Sequence, residues 1–452
     1  MKKLIDKIPN FVLYSIPLVI VFTVMLLAFY PGILSPDAMV QWNQVQTNTI
    51  NNWHPAYTTI FIKLLSYIWN SPTFIIIIQD ILIIIIISYT LITLEKCFNI
   101  SKKWLFILSV LFAINPLNFN LAVNMLKDTL FSYFLILLMA CIINIICDKK
   151  WLKKWYNILL LVITGILINL FRHNGIIITL LASIILIIVY KKEKILYLVF
   201  ANWLIIYVLL TTIGFSVLNI DDASVSNKFG PISHIFAQIL NNDNIKLSNE
   251  ELNNLNNYVD VKQLKDTFDS YNMDYSINCQ KIDYINEHKK EYLLFAFHVF
   301  KKYPKEVLIY YLKLDSFIYS PLPFKNSYVA GMFNESELYI YENTYPELKE
   351  QSKLPLVNKI IKKVTSYYQC SILKLLTMRP AIYIYLSIIC VILIVEKLKI
   401  KRYYLILLPS ILNAVSIAPA MPVASTRYLY ISFLSLWFIG IITLKILRND
   451  RK

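Results

Sequence analysis

Charged residues are scarce in this chain of 452 residues, since Asp, Glu, Lys and Arg together make up 16% of it and hydrophobic residues 57%. A soluble protein of this length would not cover so much apolar side chain with polar surface. Several apolar runs reach the roughly 20 residues that a helix needs to cross a bilayer. The sequence therefore predicts a polytopic membrane protein and excludes a soluble globular one.

Acidic residues are especially rare outside one segment. Residues 220–378 hold 18 Lys and Arg against 19 Asp and Glu, whereas the rest of the chain holds 26 basic and 9 acidic residues. The net charge of +16 thus comes from short loops between apolar runs. This distribution is typical of membrane topology and argues against nucleic acid as a partner.

The apolar runs predict ten membrane-spanning helices, and alternate loops between them carry 21 of the 26 basic residues outside 220–378. By the positive-inside rule, both termini are cytoplasmic and 220–378 lies outside. The first run is long enough to span and no small-residue cleavage site follows it, so we expect an uncleaved helix. The predicted spans are 11–30, 72–94, 104–123, 129–147, 156–171, 175–190, 195–218, 380–395, 403–420 and 428–446.

This topology divides the chain into three parts. They are an N-terminal membrane domain (1–219, with the first outer loop at 31–71), a mostly helical extracytoplasmic domain (220–378) and C-terminal membrane helices (379–452). In the first outer loop, Ser35 can cap a helix that begins near Ala38. The stretch 56–69 is expected to be an amphipathic helix in the interface.

Cysteine usage gives little further information. Cys279 and Cys370 both fall in the outer segment, where either a disulfide or two unpaired thiols are allowed.

Few ions remain on the predicted outer face beyond the large segment. A site at the membrane boundary explains so sparse a set better than an ordinary solvated surface does. Each residue also has a purely structural alternative, such as helix capping, a stabilising hydrogen bond, a polar turn or snorkelling to headgroups. The set comprises Asp37, Lys63, Lys127, Asp128, Arg172 and Arg427, with His54 and His173 in the same loops.

The order of these motifs resembles the GT-C class of integral-membrane glycosyltransferases. The likeness rests on an Asp in the first outer loop before an interfacial helix, Lys127-Asp128 in the second loop and Ser-Thr-Arg-Tyr at 425–428. More closely, Pro-Gly-Ile-Leu-Ser-Pro-Asp, Trp-His-Pro, Lys-Asp-Thr-Leu-Phe-Ser and Arg-His-Asn-Gly resemble an uncharacterised family of bacterial polytopic membrane proteins. Tyr-Pro-Lys-Glu at 303–306 and Tyr-Ser-Pro at 319–321 fit the same family.

This resemblance implies a GT-C-like fold and transfer of a sugar from a polyprenyl-phosphate donor. The acceptor would be a cell-envelope glycan, lipid or protein outside the cytoplasm. It also implies that Asp37 is the catalytic or metal-binding carboxylate and Asp128 the second acidic residue. Many members carry two carboxylates in the first loop, whereas this loop has Asp37 alone, which departs from the usual metal arrangement.

Glycosyl transfer gives each of these residues a chemical task. A carboxylate such as Asp37 can take the acceptor's proton. Fixed cations stabilise the phosphate leaving group, for which Lys127, Arg172 and Arg427 are the candidates. His54 and His173 are expected to position a sugar hydroxyl. Alternatively, Asp37 and Asp128 with a histidine would hold Mg²⁺ or Mn²⁺ through oxygen ligands.

Two other functions remain open. A secondary transporter would use an intramembrane charge such as Asp80, which lies about 12 Å inside its span by helical rise. Repeated halves and paired Gly/Pro-broken spans, which many transporters show, are not visible in the sequence. A polysaccharide polymerase or lipid-linked ligase would share the lipid-phosphate chemistry.

Overall fold

The computed structural model describes residues 8–148, 150–221, 225–324, 344–368, 373–374 and 378–449. In these ranges the protein is all-α and polytopic, with one pair of two-residue strands and a few isolated bridges. The first part contains α1 (Asn10–Ala28), β1 (Ile33–Leu34), α2 (Pro36–Thr47), α3 (Ala56–Ser66), α4 (Pro72–Phe98), α5 (Lys102–Ile114), α6 (Pro116–Ala122), β2 (Asn124–Met125), α7 (Lys127–Cys147), α8 (Trp155–Phe171), α9 (Gly175–Val189) and α10 (Ile195–Leu209, prolonged to Val217).

The outer segment and the C-terminal part add the remaining helices. The outer segment contributes α11 (Val225–Leu240), α12 (Asn249–Tyr258), α13 (Val261–Asp266), α14 (Asp274–Ile277), α15 (Ile282–Glu287), α16 (Lys289–Lys302), α17 (Pro304–Leu314), α18 (Ser316–Tyr319) and α19 (Pro355–Tyr368). The C-terminal part contributes α20 (Pro380–Leu398), α21 (Leu408–Ile417) and α22 (Tyr430–Asn449), with 3₁₀ turns before α21 and α22.

A helix lies at each of the ten predicted spans. Among the described residues, seven helices are long and apolar enough to cross a membrane, and the bent pair α5–α6 makes an eighth. Helices α8 and α9 have only 17 and 15 residues, fewer than the roughly 20 that a perpendicular span needs. The count of ten therefore stays a prediction, while the polytopic helical architecture is confirmed.

The predicted span 104–123 is not one straight helix, because its two halves meet at an angle of 68°. Asn115 adopts an extended conformation there, and its side chain accepts hydrogen bonds from the Leu117 and Asn118 amides at 3.0 and 3.3 Å. Pro116 has no amide hydrogen to continue α5 and disfavours helical backbone at Asn115. Helix α6 consequently turns inward and is buried from Leu117 to Ala122.

Helix α7 forms the centre of the bundle. Every residue from Asp128 to Ile143 is buried, and α4, α8 and α22 pack around it. Helix α1 packs on α4 and α5, α20 packs on α22, and α9 packs on α21. Because the start of α7 carries Lys127 and Asp128, the most enclosed helix of the protein delivers two of the predicted site residues.

Contacts near the helix ends group the loops into two sets, which match the predicted cytoplasmic and outer loops. At one end of the bundle, Glu95 accepts hydrogen bonds from Asn10 and Tyr14 at 2.7 and 2.8 Å, and the Arg402 guanidinium lies over the Tyr190 ring. The loops that carry the candidate site residues meet at the opposite end. The alternation of loops thus agrees with the structure, and which end faces the cytoplasm stays a prediction.

The outer segment covers the end of the bundle that carries the site. Its helices form a second hydrophobic core, which also includes Met421 and Tyr428 from the loop before α22. Backbone hydrogen bonds from Met273 to Pro422 (2.6 Å) and from Ala424 to Tyr271 (3.3 Å) tie the two parts together. The assignment of 220–378 as a domain of its own stays a prediction. Within it, Cys279 is buried, and Cys370 lies outside the described residues.

Within the part of the chain that the structure describes, helix α19 presents an exposed apolar stripe. The stripe consists of Leu356, Ile360, Val364 and Tyr367, all exposed at helical spacing. The Asn358 side chain on another face donates a hydrogen bond of 2.8 Å to the Ala28 carbonyl at the end of α1. Because α1 is a candidate membrane span, this contact places α19 at the membrane boundary.

Candidate functional site

A short parallel strand pair joins the first and second outer loops. Ile33 pairs with Asn124 and Leu34 with Met125. The Gln79 side chain of α4 supports the second strand by donating to the carbonyls of Ala122 and Asn124 at 2.7 and 2.9 Å. Since Asp37 follows β1 by three residues and Lys127 follows β2 by two, this pairing brings their side chains to one place.

The helix that carries Asp37 begins as the sequence predicts. The Ser35 hydroxyl accepts a hydrogen bond of 3.3 Å from the Ala38 amide, and α2 starts at Pro36. Ahead of the strand, Gly32 has a φ of +128°, a conformation that residues with a side chain rarely adopt. The turn at Gly32 therefore fixes the direction in which the loop approaches α2.

Five predicted site residues form one continuous chain of ion pairs. The Lys127 Nζ lies 2.6 Å from an Asp37 oxygen, and the Arg427 Nη1 lies 3.2 Å from the same oxygen. The Arg427 Nε lies 3.8 Å from Asp128, whose other oxygen lies 3.0 Å from the Arg172 Nη1. Residues from four separate loops and helix ends thus alternate in charge, with a cation at each end of the chain. We call this set the ion chain.

Exposure differs along the ion chain in a way that separates two roles. The side chain of Asp128 is 0% exposed, whereas those of Asp37 and Arg427 are 23% and 19% exposed. Asp128 is enclosed by the two guanidiniums and does not reach the surface. The geometry therefore favours Asp128 as a residue that positions the arginines, and it favours Asp37 and Arg427 as those that a ligand reaches first, with the 9% exposed Lys127 beside them.

Tyr428 contacts both guanidiniums. It belongs to the Ser-Thr-Arg-Tyr motif, but the sequence alone assigned it no role in the site. Its ring centre lies 4.7 Å from the Arg172 guanidinium carbon and 4.9 Å from that of Arg427. Its hydroxyl accepts a hydrogen bond of 2.9 Å from Arg427. Stacking of this kind stabilises an arginine and restricts its orientation.

Electrostatics keep Asp37 ionised and His54 neutral. Burial alone would raise the pKa of Asp37, but Arg427, Lys127 and His54 lower it well below its ordinary value. Burial, together with the positive charge of Lys127, lowers the pKa of His54 to about 3, although the negative charge of Asp37 acts in the opposite direction. A neutral imidazole next to the ion chain is suited to hydrogen bonding with a sugar hydroxyl.

The two histidines occupy different places. His54 is buried, and it interacts electrostatically with Lys127, Asp37 and Arg427 of the ion chain. His173 is exposed, and its Nε2 lies 3.3 Å from the carbonyl of Trp53, the residue before His54. His173 thus ties the third outer loop to the first and lies at the edge of the site, outside the ion chain.

The residues do not fit the predicted divalent cation. Both carboxylates of the ion chain face Lys or Arg groups at ion-pairing distance. Among the described residues, no three His, Cys, Asp or Glu side chains are grouped so that they could hold a metal. Mg²⁺ and Mn²⁺ are held by carboxylate and carbonyl oxygens, and here the cations of Lys127, Arg172 and Arg427 already occupy both carboxylates. We therefore derive no step through a metal, and metal dependence stays an untested prediction.

A carboxylate from the outer segment also faces the ion chain. Asp274 begins α14 directly after Met273, whose amide is hydrogen-bonded to the loop before Arg427. Asp274 interacts electrostatically with Asp37 and Arg427. The sequence offered no signal for this placement, because Asp274 is one of 19 acidic residues in a segment of mixed charge.

An apolar groove opens between α5–α6 and α22, with a volume of about 450 Å³. Its exposed rim includes Trp104, Leu111 and Leu444. Phe433 lines the groove only six residues after Arg427, or roughly 9 Å along a helix axis. An elongated apolar chain in the groove would therefore end near the ion chain.

The model of a family of unknown function, DUF6020, matches residues 41–281. The matched range contains His54, Lys127, Asp128, Arg172 and Asp274, while Asp37 and Arg427 lie beyond its two ends. No curated protein and no solved structure matches the chain.

Proposed function

The chain belongs to the DUF6020 family, and we propose that it is a membrane glycosyltransferase. It moves a sugar from a polyprenyl-phosphate donor to a cell-envelope glycan, lipid or protein outside the cytoplasm. The observation that carries this proposal is the ion chain at the end of the helix bundle that the outer segment covers, close to an apolar groove. A lipid-linked phosphate needs both features together.

The charge balance of the ion chain suits an anion. Lys127, Arg172 and Arg427 face two carboxylates, so the five residues carry a net charge of +1 at neutral pH. Lys127 and Arg427 share Asp37 at a partly exposed position, where phosphate oxygens can reach both cations. Arginine grips phosphate through two parallel hydrogen bonds, and lysine adds a point charge.

The reaction requires a proton acceptor and a stabilised leaving group. The acceptor oxygen forms a bond to the anomeric carbon and gives its proton to a carboxylate. The bond between that carbon and the phosphate oxygen breaks, and its electron pair stays on the phosphate. Lys127 and Arg427 stabilise the growing negative charge. The isoprenoid tail lies in the groove beside α22, and neutral His54 holds a sugar hydroxyl.

A single substitution with a matched control tests this assignment. The assay measures transfer by the purified protein from a short-chain polyprenyl-phosphate sugar to membrane acceptors. Arg427→Gln is expected to lower kcat by about 10²-fold or more, because one fixed donor to a developing charge is worth that much. Lys63→Gln is the control: Lys63 also lies on the predicted outer face but bonds Asn48 at 2.6 Å, outside the ion chain. Equal activity of the two variants would contradict the role of Arg427.

Transport is the second candidate function because Asp80 is buried within a candidate span. One of its carboxylate oxygens has no hydrogen-bond partner among the described residues. A transporter predicts substrate flux in proteoliposomes without a glycosylated product, with Asp80→Asn more damaging than Asp37→Asn. In the transferase, Asp37→Asn abolishes product formation. Persistence of transfer in a strong chelator would exclude the Mg²⁺ or Mn²⁺ alternative.

A further inference from the structure

Helix α19 is held against the end of a candidate membrane span. Three hydrogen bonds join residues 351–358 to the last turn of α1 and the residues that follow it. They run from the Gln351 amide to the Tyr30 carbonyl (2.7 Å), from the Lys353 amide to the Leu27 carbonyl (2.8 Å) and from the Asn358 side chain to the Ala28 carbonyl (2.8 Å). Because α1 is apolar enough to cross a bilayer and ends at Ala28, α19 lies at the level where the bilayer meets water.

The surface of α19 is divided into three faces. One face is buried against the protein and carries Asn358 and Thr365. The apolar stripe lies on a second side, where Ile360 is 53% exposed. On the third side, away from the protein, Lys359 and Lys363 each lie about 100° around the helix axis from the stripe residue that follows them. If the stripe faces the bilayer, both ammonium groups reach the level of the lipid headgroups.

The charge of this segment has one sign. Residues 351–368 contain four Lys and no Asp or Glu. Lys362 is paired with Glu350 at 3.0 Å. Lys359 and Lys363 are exposed, and none of the carboxylates that the structure describes lies within ion-pairing distance of them. Two unneutralised cations, one turn apart beside an apolar stripe, are complementary to anionic headgroups above acyl chains.

We propose that α19 is an interfacial helix that binds anionic phospholipids in the leaflet beside the ion chain. Its stripe packs among the acyl chains, and Lys359 and Lys363 contact the lipid phosphates. Apolar burial and attraction to anionic lipids both strengthen the binding of such a helix. A lysine near an anionic surface contributes a factor of about five to the association constant. This surface is separate from the ion chain, so the proposal holds for a transferase and for a transporter.

The test measures which lipids surround α19 in the full-length protein. The protein carries a fluorescent amino acid in place of Ile360 and is reconstituted into phosphatidylcholine bilayers. These contain equal fractions of phosphatidylglycerol or phosphatidylcholine with a spin label on the acyl chain. Quenching should give an association constant about fivefold or more higher for phosphatidylglycerol. In 1 M salt this preference should fall, because the Debye length shortens from about 10 Å at 0.1 M to about 3 Å.

Two double variants separate the lysines from the apolar stripe. Lys359→Gln/Lys363→Gln should lose the preference, while quenching by phosphatidylcholine stays unchanged and shows that the variant is folded and inserted. Lys262→Gln/Lys265→Gln removes the same charge from exposed positions of α13 and should keep the preference.

Three outcomes would overturn the proposal. The first is equal quenching by the two lipids, or by neither, in the unmodified protein. The second is a preference that survives in Lys359→Gln/Lys363→Gln. The third is stronger quenching by a spin-labelled polyprenyl phosphate than by phosphatidylglycerol, which would assign the surface to a donor lipid instead.

Discussion

Replacing Asp128 by Asn is expected to destabilise the protein strongly while leaving its shape almost unchanged. The side chain is fully buried, with Arg172 at 3.0 Å and Arg427 at 3.8 Å. At an effective dielectric constant of about 20, unit charges at these separations attract by roughly 5.5 and 4.4 kcal/mol. Desolvation offsets much of that attraction, and removing one partner of a buried pair costs about 3–5 kcal/mol. We expect a loss of this size.

Asp37→Asn provides the matched comparison, because it makes the same chemical change in the same ion chain. Asp37 is partly exposed, so water screens the cations that lose their partner, and we expect a loss of roughly 1–2 kcal/mol. The measurement is the apparent unfolding midpoint of the purified protein, followed by tryptophan fluorescence. The double variant Asp128→Asn/Arg172→Gln should recover part of the stability, because it removes both members of the Asp128–Arg172 pair and leaves no buried Arg172 charge. Equal midpoints for Asp128→Asn and Asp37→Asn would refute the reasoning.

Two further substitutions probe the surroundings of the site. Gly32→Ala should lower stability by about 1–3 kcal/mol, because its φ is +128° and an added Cβ would collide with Ile76. Gly440→Ala, where a Cβ meets nothing within 4 Å, should be neutral or slightly stabilising, and similar unfolding midpoints would contradict this. On α19, a fluorophore at Ile360→Cys should be quenched by spin-labelled lipid more strongly than one at Lys359→Cys. Equal quenching would show that the apolar stripe does not face the membrane.

The helices could be predicted because hydropathy is a local property of the chain. Each of the ten apolar runs corresponds to helix, and the cap at Ser35 appears where its sequence indicated. The bend between α5 and α6 was missed, although its cause, Asn115 followed by Pro116, is written in the sequence. Hydropathy averaged over a window of residues does not reveal a single proline that removes one helix hydrogen bond.

The members of the ion chain could be predicted, but their pairing could not. Placing a charged side chain near a membrane costs free energy. Each ion that the topology did not explain was therefore a candidate for the site. Which carboxylate meets which cation depends on the packing of α7, α8 and α22 and on the two-residue strand pair, whose pattern is too short to recognise. Asp274 was missed for a different reason, since acidic residues are common in the outer segment and carry no such signal.

The arrangement also explains why so many loops contribute a single ion each. A chain of alternating charges that ends in cations attracts an anion without any of its members being free in the resting protein. The members of the ion chain are held by four elements, since Asp37 lies in α2, Lys127 and Asp128 start α7, Arg172 follows α8, and Arg427 precedes α22. A shift of α7 would break three of the four links, and a shift of any one element would expose a charge that the remaining residues cannot neutralise. Fixed helix ends therefore give this site the preorganisation that electrostatic stabilisation of a leaving phosphate requires.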